Sequence, residues 1–288
     1  MNETQKEELT KKLFEIAKKE IGITYRKNDA PLPNAGSKIG GMPDVPQGFV
    51  WPWFSGKAYG EEENVSRPLS FLGQINLRDV AHLDEEGLLP KTGILSFFYE
   101  LETMTWGFTP EDKGSARVFY FPTEEELSAA ECPADLDESL ILPELALDYQ
   151  SQISLPDYGC FEADMAFEYE DYETCSTECG YTYDGWGERT KLLGYPDVIQ
   201  NPMEEECERV TRGYRCGSPE DYAKIPEAEK ADIKEKASNW TLLFQMGTIS
   251  AEDYELMFGD CGHIYFWIKK SDLVNRNFEE AWLILQCG

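Results

Sequence analysis

Histidine is nearly absent: His82 and His263 are the only two in 288 residues. Nucleophile, base and acid arrangements need a titrating base, most often histidine, so the supply for that chemistry is thin. Gly-x-Ser-x-Gly, P-loop, dinucleotide-fingerprint and His-Glu-x-x-His patterns are all missing, which removes the common hydrolase, NTPase, Rossmann and zincin classes. EF-hand spacing is missing too, so the many acids read as a solvated face before they read as a calcium site. No apolar run approaches the roughly 18 residues of a membrane span. The opening Met1-Asn-Glu-Thr-Gln-Lys-Glu-Glu lacks the basic and then apolar regions of a signal peptide, and the expected address is the cytosol. Basic residues are scarce: 26 Lys and Arg stand against 55 Asp and Glu, a formal net charge of −29. A polyanion repels phosphate backbones and anionic lipid, so no nucleic-acid or membrane partner is expected, and a partner is cationic or neutral.

The chain contains one stretch used twice. Residues 38–47 read KIGGMPDVPQ and residues 191–200 read KLLGYPDVIQ, sharing Lys, Gly, Pro, Asp, Val and Gln. After the first copy come Leu69-Ser-Phe71-Leu-Gly-Gln74-Ile75 and Gly93-Ile-Leu95-Ser-Phe97; after the second come Leu242-Leu-Phe244-Gln245-Met246 and Gly262-His-Ile264-Tyr-Phe266. Three blocks recurring in one order predict an internal duplication, with halves at about 30–155 and 185–288 inside a single compact domain spanning 1–288.

Thr4-x-x-Glu7 is a capping box ahead of Leu9, Leu13, Ile16 and Ile21, which predicts an N-terminal amphipathic helix over about 4–20. Prolines and glycines across 28–56 forbid long elements, while Phe49, Trp51, Trp53 and Phe54 there predict an ordered loop packed on a sheet. Strands are predicted at 69–77 and 93–101 as antiparallel neighbours, at 117–121, 240–246 and 262–268, and at 281–286. Alternating aromatic and acidic residues from Cys160 to Cys179 have a period near two and read as a strand with one wet face. Thr123-x-x-Glu126 reads as a short helix start, and Ser218-Pro219-Glu-Asp221 as the start of a helix over about 219–237. Strands in excess with irregularly inserted helices make the expected class α+β, with mixed or mainly antiparallel sheets and peripheral helices.

Taken together, Ser37-Lys38-x-Gly40-Gly41-x-Pro43, Trp51-Pro52, Phe71-Leu72-Gly73-Gln74-Ile75-Asn76-Leu77, Gly194-Tyr195-Pro196-Asp197-x-Ile199-Gln200, Trp240-x-Leu242-Leu243-x-Gln245, Gly259-Asp260-x-Gly262-x-Ile264-Tyr265-Phe266-Trp267 and Trp282-x-Ile284-Leu285-Gln286-Cys287 resemble the YwqG-like family of bacterial proteins. That family carries a domain of unknown function. The resemblance covers nearly the whole chain and implies one compact α+β protein with a repeated β-rich core, in the cytosol. It brings no established reaction. Some relatives sit among genes for toxins and their neutralising partners, which implies a lean towards protein binding. The Cys-rich acidic section from 160 to 190 matches none of the family's pattern.

Three chemistries are open to the residues. Carboxylates can work without histidine, and Asp44, Asp197 and Asp260 sit beside Gly and Pro turns, where Asp more often bonds its own backbone. Cys175, Cys179, Cys207 and Cys216 supply four thiolates for a zinc ion, against the reading of idle buried thiols, and no cofactor is otherwise expected. Gln74, Asn76, Gln200, Gln245 and Gln286 lie in or near apolar stretches, where an unpaired amide costs about 1–3 kcal/mol, so each needs a partner. Either they satisfy the Gly-Pro loops, or Trp51, Gln74, Asn76, Asp197, Gln200, Gln245 and Asp260 line a pocket between the halves. The leading expectation is a non-catalytic binding protein for a basic protein, through the aromatic and acidic surface from Phe161 to Trp186. The alternative is a small-molecule site or carboxylate-dependent hydrolase between the two halves.

Overall fold

A computed structural model describes residues 3–28, 30–158, 160–178 and 189–288. Cys179 and the stretch to Trp186 therefore lie outside the described residues. The architecture is α+β and the main sheet is antiparallel throughout. Ten strands form that sheet: β1 (Lys18–Lys27), β2 (Lys38–Ile39), β3 (Ser70–Asn76), β4 (Ile94–Tyr99), β5 (Ala116–Phe121), β6 (Leu145–Ser154), β7 (Thr190–Leu193), β8 (Trp240–Met246), β9 (His263–Lys269) and β10 (Trp282–Gln286). Their order is β10-β9-β8-β7-β1-β6-β2-β3-β4-β5. The longest pairing, β1 with β6, runs from Lys18 opposite Ser154 to Lys27 opposite Leu145 and forms the spine.

On each side of the spine stands a four-strand arm, β2 to β5 and β7 to β10. Both arms carry a register shift at the same relative place, between Phe71 and Gly73 in one and between Leu242 and Phe244 in the other. Such bulges bend a sheet, and this one is nearly closed: the Phe97 ring of the first arm lies 4.4 Å from Phe244 and 5.2 Å from Phe266 of the second. Leu72, Leu95, Leu243, Ile264 and Leu285 join them in the main core. The outer faces are covered as well. Phe49, Trp51 and Phe54 of the Pro-Gly loop pack on Phe71 and Phe98 of the first arm. Helix α4 (Glu204–Thr211) lays Cys207 and Val210 on Trp240, Leu242, Trp267 and Ile284 of the second. Strands buried on both faces read as continuous apolar runs, which is why these were visible in the sequence.

Where the structure differs, local chemistry explains it. The N-terminal helix α1 (Glu3–Glu15) stops short of residue 20, because Ile21 and Ile23 alternate inward with Gly22 between them and belong to β1. The expected strand between Cys160 and Cys179 is instead two helices, α2 (Phe161–Ala166) and α3 (Tyr169–Glu178). Ala163, Phe167, Tyr172 and Cys175 fall at helical spacing and pack with Leu13 of α1; the period of two came from the exposed acids between them. No helix starts at Thr123, since Glu126 is held at φ +64°, in the left-handed region. The helix over 219–237 breaks into α5 (Pro219–Ala223) and α6 (Glu227–Ala237). Pro226, standing as the N-cap of α6, bars the α conformation at Ile225 and has no N–H to give. Ile249–Ala251 and Tyr254–Leu256 pair as a small separate hairpin.

Candidate functional site

The repeated Lys-x-x-Gly-x-Pro-Asp stretch folds into a matched buried unit in each arm. Lys38 on β2 lies directly opposite Gln74 on β3, and Lys191 on β7 opposite Gln245 on β8. Gly40 and Gly41 (φ +65° and +67°), or Leu193 and Gly194 (φ +61° and +72°), then turn the chain so that Asp44 or Asp197 comes back against its lysine. The Lys38 Nζ is 3.1 Å from Asp44 Oδ2, and the Lys191 Nζ 3.1 Å from Asp197 Oδ1. Gln74 Oε1 accepts from the Asp44 N–H (2.8 Å) while its Nε2 donates to Asp44 Oδ2 (2.7 Å) and to Gly36 O (2.8 Å). Gln245 repeats the pattern with the Asp197 N–H (2.9 Å), Asp197 Oδ2 (2.6 Å) and Arg189 O (3.1 Å). A carboxylate on or next to the spine completes each unit: Glu144, just before β6, at 3.6 Å from Lys38, and Glu20 on β1 at 2.9 Å from Lys191. Glycine is required at the matched turn, because a Cβ on Gly194 would sit 2.7 Å from Glu20 Cβ and one on Gly41 3.1 Å from Glu144 Cβ.

The centres of both units are buried, Gln74 and Gln245 fully, while Glu144 in one and Arg189 in the other reach solvent. Burial alone would raise the Asp197 carboxyl; Lys191, Arg189 and the Gln245 hydrogen bond overcome it and hold its pKa below the ordinary value. Arg189 bridges Asp197 and Glu20, so the second unit holds two cations and two anions. His263 sits behind it, buried, with neither ring nitrogen hydrogen-bonded, and burial pushes its pKa down to about 4. Lys191, Arg189, Asp197 and Glu20 are bonded to one another. The amides answer the demand of the Gly-Pro loops.

The seven residues expected to line a pocket do not meet in one cleft. Trp51 donates Nε1 to Leu69 O (2.8 Å), and Asn76 donates to Ala35 O (3.0 Å) and caps the turn at Arg78 (3.0 Å), both in the first arm. In the second, Gln200 donates to Cys287 O (2.9 Å) beside Gln286, whose Oε1 accepts from Ile199 and Gln200 N–H. Asp260 is exposed, with its carbonyl accepting from Gly288 N–H (2.9 Å). Of the four cysteines, Cys175 packs among Leu13, Phe167 and Tyr172, whereas Cys207 and Cys216 lie in the other layer with Trp240 and Tyr265. Burial raises both thiols of that layer, Cys216 to about 12, which opposes a thiolate. Among the described residues no three His, Cys, Asp or Glu side chains gather as a metal site. His82 is exposed in its loop.

Two features escape sequence reasoning. Helix α4 buries Glu204 and Glu206, whose pKa values burial raises to about 8 and about 7. The run Glu204-Glu-Glu206 looks like a solvated helix start, so nothing local betrays it. The other feature is a cleft of about 610 Å³ beside the edge strand β10, lined by Lys57, Tyr59, Trp106, Phe108, Glu111, Asp112 and Arg215. Its shelf is pinned residue by residue: Trp106 O accepts from Leu285 N–H (3.0 Å), Gly107 O from Trp282 Nε1 (2.9 Å) and Phe108 O from Cys216 N–H (2.8 Å). Gly107 (φ +80°) admits no side chain, because its Cβ would lie 1.8 Å from Leu283 O. The shelf thus also covers the open edge of the sheet. Burial raises the Asp112 carboxyl, while Glu111 is held low, first by its own backbone N–H and then by Thr109, Arg215 and Lys57.

The family model described as Domain of unknown function (DUF1963) matches residues 37–287, and the chain belongs to that family. No curated protein matches it. No helix among the described residues is long and apolar enough to cross a membrane.

Proposed function

We propose that this member of the family, close to the YwqG-like bacterial proteins and placed in the cytosol, is a non-catalytic binding protein for a basic protein partner. One observation carries the reading. From Val118 to Glu188 the chain has no Lys or Arg and 19 Asp and Glu residues, so its middle quarter holds most of the net charge of −29. Some of these acids are neutralised by cations from elsewhere, as Asp148 is by Arg26 and Glu162 by Lys18. Others are left on the surface: Glu125, Glu131 and Glu138 around the loop after β5, and Glu168, Glu170 and Glu173 on or next to α3. A surface of one sign speeds encounter with the opposite sign and loses strength as salt screens it. The same surface disfavours nucleic acid. The inward ion units support the reading from the other side, since Asp44 and Asp197 are each held by a lysine and a glutamine.

The test is anisotropy titration of a labelled Lys-rich peptide at low and high salt. A variant with Glu168, Glu170 and Glu173 changed to Gln is compared with one carrying the same change at Glu220, Glu255 and Glu279, which are exposed outside the acidic segment. The first triple is expected to weaken binding about tenfold and flatten the salt dependence, the second by far less. Equal loss in both, or affinity independent of salt, would overturn the proposal. We infer further that the arms descend from one duplicated unit, a reading supported by the position-for-position match of Lys38, Gly41, Asp44 and Gln74 with Lys191, Gly194, Asp197 and Gln245. The cleft beside β10 favours a second reading, a small-molecule site where a loop of the first arm crosses the edge of the second.

A further inference from the structure

We propose that the cleft beside β10 is a carbohydrate-binding site, with Tyr59 and Trp106 as the stacking platform and Glu111 and Arg215 as the hydroxyl-binding pair. This rests on the reading of the cleft as a small-molecule site. Its size, about 610 Å³, falls within the roughly 300–1,000 Å³ usual for small-molecule clefts. The Tyr59 and Trp106 rings lie 5.8 Å apart at 49°, and Trp106 and Phe108 lie 5.9 Å apart at 44°, so three aromatic faces follow one another along one wall. Tyr59 is 61% exposed. An aromatic side chain left that open at the mouth of a cleft is poorly explained by packing, since its ring covers little of the core beneath.

The charges decide the class of ligand. Lys57 and Arg215 face the cleft together with Glu61, Glu111 and Asp112, in a protein where acids outnumber bases two to one. A cation would meet the lysine and the arginine, and an anion would meet the carboxylates. A neutral ring bearing hydroxyls can donate to the carboxylates, accept from Lys57 and Arg215, and lay its C–H face on an aromatic ring. The shelf is also rigid in advance: besides the three carbonyls bound to β10 and to Cys216, Thr105 O accepts from Tyr99 OH at 2.7 Å, and Asp112 closes its turn by accepting from Thr109 N–H at 3.2 Å. A platform ordered before binding pays little conformational entropy when it binds, which suits the modest affinity of stacked sugars.

The full chain is titrated with maltotriose, cellotriose and triacetylchitotriose, reading tryptophan fluorescence and melting temperature, with adenosine monophosphate and tetramethylammonium as charged probes. The expected result is a saturable fluorescence change and a raised melting temperature with at least one trisaccharide, insensitive to salt. Tyr59→Ala and Arg215→Ala, both surface changes, are expected to weaken it at least about tenfold, and Trp53→Ala, on another part of the surface, to leave it unchanged. If a charged probe binds with the same Tyr59 dependence and no saccharide does, the cleft is a small-molecule site of another class and the carbohydrate assignment falls alone. Should none of the five probes bind, or saccharide binding persist in Tyr59→Ala, both readings of the cleft fall.

Discussion

The two ion units share a plan and differ in their support, and the difference shows what the plan requires. In the first arm Lys38 is the cation of the unit, Gly36 stands where the second arm has Arg189, and the Glu144 side chain keeps a third of its surface in water. In the second, Glu20 is 1% exposed and Arg189 joins Lys191 against two buried acids. A carboxylate that reaches water can manage with a shared cation. One sealed in the core cannot, because an unpaired buried charge costs several kcal/mol. The extra arginine thus accompanies the deeper glutamate.

The largest effect that could break this comparison comes from the lysines. Lys38→Met should cost about 3–5 kcal/mol, since it leaves buried Asp44 without its cation. Lys191→Met should cost less, about 1–3 kcal/mol, because Arg189 still bridges Asp197 and Glu20. Urea unfolding of the two variants measures both; equal costs, or the reverse order, would show that Arg189 carries no share. Next come the glutamines. Gln74→Leu and Gln245→Leu each orphan an aspartate N–H and remove the amide bond to its Oδ2, so the two should each lose about 1–3 kcal/mol and stay close to one another. A wide gap between them would mean that the matched geometry hides unequal strain.

The remaining effects are those of pH, and Glu204 and His263 of the second arm are set up to show them in opposite directions. Glu204 titrates near 8 in the fold against an ordinary 4.5, so the native state binds more protons than the unfolded chain between those values. Its contribution is therefore present below pH 4.5 and lost as pH rises towards about 8. Glu204→Gln should flatten that fall when unfolding is followed by pH. His263 runs the other way: its folded pKa, near 4 against 6.5, keeps it neutral, so stability is lost as pH drops from 6.5 to about 4, and His263→Phe should remove that loss. Unchanged profiles in both variants would place these groups in water.

How much could be read in advance depended on how each residue meets the core. Six of the eight arm strands were visible, all but β2 and β7, because Phe97, Phe244 and Phe266 face the core while Phe98 and Tyr265 face an outer layer, making unbroken apolar runs. The spine was missed. β6 alternates buried and exposed residues around Asp148 and Gln152, and β1 begins with Lys18, Lys19 and Glu20, which extend the pattern of the preceding helix. The pairing of Gln74 and Gln245 with the Gly-Pro loops was one of two readings of the repeated stretch, and the bonds select it. The cleft had no local signature, since Tyr59, Trp106 and Arg215 come from three distant stretches.

Local pattern alone determined that this chain would be acidic, strand-rich and marked by a twice-used Lys, Gly, Pro and Asp stretch, because each of these is written in spacing and composition. Tertiary structure decided which strands stand at the centre, that the repeated polar groups bond to one another, and where the aromatic cleft beside β10 opens. Those outcomes turn on how the arms bend towards each other, and bending is set by bulges, left-handed glycines and contacts between residues far apart in the chain.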